Sequence, residues 1–162
     1  MRKDRIVGIV LLCILALIIN QCSSAKRNDN GEISKAGDLD AYVTQVGDCL
    51  ETFPAAAGTT ELISTLDAIP CSQPHRWEVF YKSSSNLDTF TEQGVSDEAN
   101  SLCNSAIEAI LSSASSIKVN EYATARLGSI NPTSNTWNLK NDRAIDCLIG
   151  SDTQFYYSSI LE

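Results

Sequence analysis

His75 is the single histidine of the chain and the first candidate for chemistry. An imidazole oriented by a carboxylate makes a general base, and Glu78 or Asp48 would supply that carboxylate. A hydrolase built on such a pair also needs a nucleophile, and no serine lies in a G-x-S-x-G elbow. The competing reading is structural: Pro74-His75 turns the chain into the aromatic run Trp77–Tyr81, with the imidazole bonded to a neighbouring loop. That reading is the stronger one, because nothing else in the chain completes a catalytic set. Asp142-Arg143 offers an anion-binding pair, although such pairs more often cap a turn or form an ion pair. Trp77 and Trp137 could form a binding platform, but two tryptophans are more commonly core. Phosphate loops, EF-hands and H-E-x-x-H are absent, so no cofactor and no metal are expected.

The residues that must position these groups belong to a chain of 162 residues, long enough for one domain. Its 43% hydrophobic and 20% charged residues are ordinary globular values. A formal net charge of −8 argues against nucleic acid, whose phosphates need a basic face.

The N-terminus reads as an export signal. Arg2, Lys3 and Arg5 precede an apolar run from Ile6 to Ile19. As a helix this run spans only about 21 Å against a hydrocarbon core of roughly 30 Å, so it reads as a signal-peptide core. An uncleaved membrane anchor is the alternative. Cys22 follows directly and is a candidate lipidation residue, but Asn20 and Gln21 stand where a lipoprotein peptidase prefers small residues. Ser23-Ser24-Ala25 offers an ordinary cleavage site instead. Three segments result: residues 1–21 as signal peptide or anchor, 22–39 as a polar linker, and 40–162 as the domain. Without residues 1–21 the chain has 9 cations and 19 acids, a net −10. Such a surface would not hold the protein to anionic lipid by itself.

Cys49, Cys71, Cys103 and Cys147 remain in the domain. In an exported chain they read as two disulfides. Zinc held by the four, or by three plus His75, is disfavoured by the long spacings and the absence of a C-x-x-C pair. Residues 97–114 predict an amphipathic helix capped by Ser96, with Ala99, Cys103, Ile107 and Ile110 on its apolar stripe. Runs at 42–46, 77–81, 122–127, 143–149 and 155–157 read as short strands separated by turn residues. The fold class is therefore α+β, one helix packed on a small antiparallel sheet. Residues 26–39 read as a flexible spacer.

Gly47-Asp48-Cys49, then Ile69-Pro70-Cys71-Ser72-Gln73-Pro74-His75-Arg76-Trp77-Glu78-Val79, the helical Cys103, Trp137, and Asn141-Asp142-Arg143 before Cys147 follow one another in order. This arrangement resembles the septum-formation domain family of actinobacterial-type envelope proteins, over about residues 46–149. Asn141 stands where the family usually has Gly, and Asn tolerates the positive φ of a turn. The resemblance implies an exported, membrane-associated domain with two disulfides and a link to division, but no defined reaction.

Counting alone permits three cysteine pairings. Cys49 and Cys147 each follow an acid in strand-like runs near the domain's ends. Cys71 precedes the 77–81 strand, and Cys103 faces inward from the helix. Bridges Cys49–Cys147 and Cys71–Cys103 are expected on that basis. The expected function is a non-catalytic envelope module that binds a protein partner or wall component, with a small secreted hydrolase using His75 as the alternative. It would sit on the outer face of the membrane, through the N-terminal segment or a lipid, or be secreted.

Overall fold

In the computed structural model, residues 24–53 and 63–162 are described. The expected signal segment, the lipidation candidate Cys22 and the first cleavage-site serine lie outside them. The centre of the molecule is the pair β6 (Trp77–Ser84) and β8 (Ala144–Gly150), antiparallel over their whole length. Both strands come from runs rich in branched and aromatic residues, as the sequence implies. Their neighbours complete a curled six-stranded antiparallel sheet. On the β6 side lie β4 (Cys49–Leu50), β5 (Thr65–Ile69) and the edge strand β3 (Gly37–Asp40). On the β8 side lies the other edge, β7 (Arg126–Ile130).

Both faces of this sheet are buried. One carries Leu50, Leu66, Trp77, Val79 and Leu148, packed against Leu39 and Phe53. The other carries Phe80, Ile145, Cys147 and Ile149, covered by the long helix α1 (Glu92–Ser113) through Ala99, Cys103 and Ile107. Burial on both sides is why β8 reads as the nearly unbroken apolar run Ile145–Ile149 rather than as an alternation. Ordinary alternation along β6 puts Val79 in one core and Phe80 in the other, and a bulge between Val79 and Tyr81 shifts the pairing with β8 beyond them. Two short helices, α2 (Ser116–Glu121) and α3 (Ser134–Lys140), flank β7 in the chain.

The expected helix is present, but it starts at Glu92 rather than Asp97. Its cap is Thr91, whose hydroxyl accepts the Gly94 N–H at 3.0 Å, not Ser96. Gly94 disguises this first turn in the sequence. A Cβ there would come within 2.6 Å of the Thr91 hydroxyl oxygen, so the close cap explains the glycine.

Three expected strands are corrected. The 42–46 run is not a strand. Asp40 accepts the Tyr42 N–H at 2.9 Å and starts a 3-10 turn over Ala41–Val43, leaving Tyr42, Val43 and Val46 exposed. The 122–127 run becomes strand only from Arg126 and continues to Ile130, because Tyr122 closes α2. The 155–157 run is reduced to one antiparallel bridge between Tyr156 and His75.

The stretch 26–39 is not a spacer. Lys26–Arg27 (β1) and Ile33–Lys35 (β2) form a hairpin, and β3 pairs with β5. Two buried side chains, Ile33 and Leu39, anchor it. Arg27 grips both oxygens of buried Asp48 at 2.6 and 2.7 Å. A few well-placed anchors thus order a segment whose overall composition is polar. Among the described residues the folded unit starts at Ser24, not at residue 40.

The cysteine pairing is also corrected. The bridges are Cys49–Cys71 and Cys103–Cys147, with Cα–Cα distances of 5.2 and 5.4 Å. Cys49 stands opposite Ile69 in the β4–β5 ladder, so the chain leaving β5 brings Cys71 directly to it. Cys103, on the inner stripe of α1, lies over Cys147 in β8. The helix is tied to the sheet it covers, as expected, but to β8 rather than to Cys71.

Candidate functional site

The bridge between His75 and Tyr156 is made by paired main-chain bonds, the His75 N–H to Tyr156 O at 3.0 Å and the Tyr156 N–H to His75 O at 2.7 Å. These bonds hold the histidine at the mouth of β6, where it is fully buried. Its Nδ1 lies 3.1 Å from the Gln73 carbonyl and donates to it, which places the proton on Nδ1. The orienting partner is therefore a backbone carbonyl and not a carboxylate. Burial pushes the imidazole pKa below its ordinary value, so the ring is neutral near pH 7.

Glu78 is equally buried. It accepts hydrogen bonds from the Ser159 hydroxyl, from the Ile160 N–H at 2.8 Å and from the Tyr122 hydroxyl at 3.4 Å. Burial drives its pKa up despite these donors. The Tyr122 ring stacks on Tyr156 with centroids 4.3 Å apart, and Lys118 bonds the Ser158 hydroxyl at 2.6 Å. This polar cluster clamps the C-terminal segment onto the sheet. One atom each of Cys49, His75 and Glu78 lies within 4.8 Å of the others, a spacing that would suit a metal. Cys49 is committed to its bridge with Cys71, so only an imidazole and a carboxyl would face a cation.

The remaining sequence candidates are held elsewhere. Asp48 serves Arg27 and the Gln45 N–H, the latter at 2.7 Å. Asp142 accepts the Ala144 N–H at 3.0 Å, just after Asn141 ends α3 with φ of 53°. Arg143 lays its guanidinium 3.5 Å over the buried Trp137 ring and donates to the Trp137 and Asp142 carbonyls. In this arrangement Asp142 and Arg143 fasten α3 to β8.

Replacing His75 by alanine is expected to destabilise the domain by about 1–3 kcal/mol, because a fully buried ring is lost from the packing and its bond to the Gln73 carbonyl with it. Urea unfolding of wild type and His75→Ala checks this. A change under about 0.5 kcal/mol would mean that the ring is dispensable to the fold.

A second site lies on the other side of β8, and of the residues singled out in the sequence it includes Trp77 and Asp142. A groove of about 990 Å³ runs between β7 and the first half of α1, large for a ligand cleft. Tyr42, Phe90 and Leu127 give it apolar surface, and Gln93, Asn100 and Asn131 give it amides. Its floor holds an ion pair. Lys82 donates to Asp146 at 3.0 Å and to the Thr44 carbonyl at 2.9 Å, while the Thr44 hydroxyl also bonds Asp146. Burial raises the Asp146 pKa. No spacing rule marks this groove, because its walls come together only through the β7–β8 pairing and the docking of α1.

The fold and its sites define a class: a small α+β domain with two disulfides, which belongs to an oxidising, extracytoplasmic compartment. No family model, curated protein or solved structure matches the chain. Among the described residues, no helix is long and apolar enough to cross a membrane.

Proposed function

We propose that the chain is a non-catalytic module of the cell envelope that binds a protein partner or wall component in the groove between α1 and β7. The observation that carries this reading is a contrast in access. The groove is open and has aromatic and amide walls, whereas the candidate acid–base residues His75 and Glu78 are sealed from solvent. A hydrolase must bring substrate to its base, which disfavours the secreted-hydrolase alternative. The motif resemblance alone links the module to septum formation. On this reading the export segment delivers the domain to the outer face of the membrane, where Cys22 lipid or an uncleaved anchor retains it, or cleavage releases it.

Site-specific photo-crosslinking in the native envelope tests this. A cross-linker at Leu127 or Asn135 in the groove should capture a common partner or wall fragment. The same group at Tyr157, exposed and outside the groove, should not. Equal capture of the same species from Tyr157 would refute the groove as the binding site.

A further inference from the structure

β7 ends the sheet. It pairs with β8 on one side, and among the described residues no strand lies on its other side. In an antiparallel edge strand every second residue points its N–H and C=O away from the sheet. Edges of this kind are commonly blunted by a bulge or a proline. β7 runs from Arg126 to Ile130 without a register break, and Pro132 comes only after it ends.

The groove runs along this edge and over the adjoining face of β8 and β6, where Asp146 and Lys82 form its floor. Gly128 stands opposite Leu148, which belongs to one core, while Leu127 and Ser129 stand opposite Ile149 and Cys147, which belong to the other. Side chains of a strand alternate between faces, yet all five β7 residues line the same groove. A groove that passes around the strand's rim reaches both sets. Its far wall is one stripe of α1, with Glu92, Ser96, Asn100 and Asn104 at intervals of four. A free strand edge faced by a helix is the geometry in which an extended peptide adds to a sheet: main-chain bonds give affinity and alternate side chains give selectivity.

The charges select the peptide. Both cations of the groove are neutralised, Lys82 by Asp146 and Arg126 by Asp152. Glu92 and Asp142 line the same groove without a cationic partner among the described residues. Residues 22–162 carry a net −10. An acidic protein with open carboxylates in its groove attracts a cationic ligand.

We propose that the groove takes an extended polypeptide bearing lysine or arginine, which joins the sheet as a seventh strand against β7. This rests on the reading of the groove as the binding site and names the chemistry of its occupant.

The test uses the full chain purified from the envelope in detergent, with both disulfides intact, and a random displayed-peptide library as the probe. Selected peptides should be enriched in Lys and Arg. In the free protein alternate β7 amides should exchange rapidly with deuterium, and bound peptide should slow them. Methylating alternate backbone nitrogens of a selected peptide should weaken binding at least about tenfold, while methylating the intervening ones should change it by less than about twofold. Four results would overturn the proposal. They are exhaustion of the library without a groove-binding peptide; binding of a selected peptide with β7 exchange unchanged; protection of all β7 amides in the free monomer, so that the chain covers its own edge; and protection that appears only as the protein dimerises, making a second copy the occupant. If any of these holds while Leu127 and Asn135 still cross-link a common species that Tyr157 does not, strand addition fails and the groove reading survives.

Discussion

Replacing Cys103 and Cys147 together by alanine is expected to cost about 4 kcal/mol, the larger of the two disulfide losses. Their bridge closes a loop of 44 residues, against 22 for Cys49–Cys71, whose removal is expected to cost about 3 kcal/mol by the same chain-entropy argument. Native stability is of order 5–15 kcal/mol, so the first loss is a large share of it. The two bridges also do different structural work. Cys49–Cys71 staples neighbouring segments of the sheet, which remain paired through β4 and β5. Cys103–Cys147 joins α1 to β8, and Cys103 also lines the groove. Its loss should therefore loosen a groove wall as well as lower the unfolding midpoint. Urea titrations of both double variants, with photo-crosslinking from Leu127, read the two effects. Equal midpoints for the two variants would refute the ranking. Undiminished cross-linking in the Cys103→Ala/Cys147→Ala variant would show that the bridge does not hold that wall.

The features legible in the sequence are those fixed by local pattern. The α1 stripe of Ala99, Cys103 and Ile107 follows helical spacing, and each of these residues is buried in the structure. β6 and β8 announce themselves because a strand buried on both faces must be rich in branched and aromatic residues. Asn141 takes the left-handed conformation its side chain tolerates. What escapes the sequence is non-local. The pairing of Cys49 with Cys71 follows from β4 lying beside β5, a neighbour relation that no short window contains. The hairpin over residues 26–35 depends on Arg27 meeting Asp48, 21 residues away. Tyr42 and Val43 have strand-forming side chains, but the Asp40 cap turns the backbone before a strand can form. The groove is the extreme case. Its walls are contributed by residues as far apart in the chain as Tyr42 and Asp146, so it exists only after the sheet is assembled.

Glu78→Ala is expected to destabilise the domain by about 3–5 kcal/mol, because it leaves buried donors of the C-terminal clamp without an acceptor. The Ser159 hydroxyl and the Ile160 N–H both lose their partner. Glu78→Gln is the informative companion, since it keeps an acceptor and the side chain's volume but cannot ionise. Burial raises the folded-state pKa of Glu78, and its hydrogen bonds and the Lys118 charge offset that rise only in part. Between the ordinary glutamate value and this raised value, the folded state holds more protons than the unfolded chain. Stability must then fall as pH rises through that window. Asp146, also raised by burial, acts in the same direction. His75, whose pKa is lowered by burial, acts in the opposite one, and stability rises as pH climbs toward its ordinary value. Both groups are present in wild type and in Glu78→Gln; the Asp146 contribution largely cancels in the difference, and that of His75, within 4.8 Å of Glu78, is removed by repeating the comparison in a His75→Gln background. Denaturant unfolding from about pH 4 to about pH 8 should therefore show wild type losing stability relative to Glu78→Gln as pH rises. A difference that stays flat, or that turns in favour of wild type, would show that the carboxyl is as readily ionised in the folded protein as in the unfolded chain. The clamp would then be an ionic contact, held by Lys118, rather than a neutral hydrogen-bonded one.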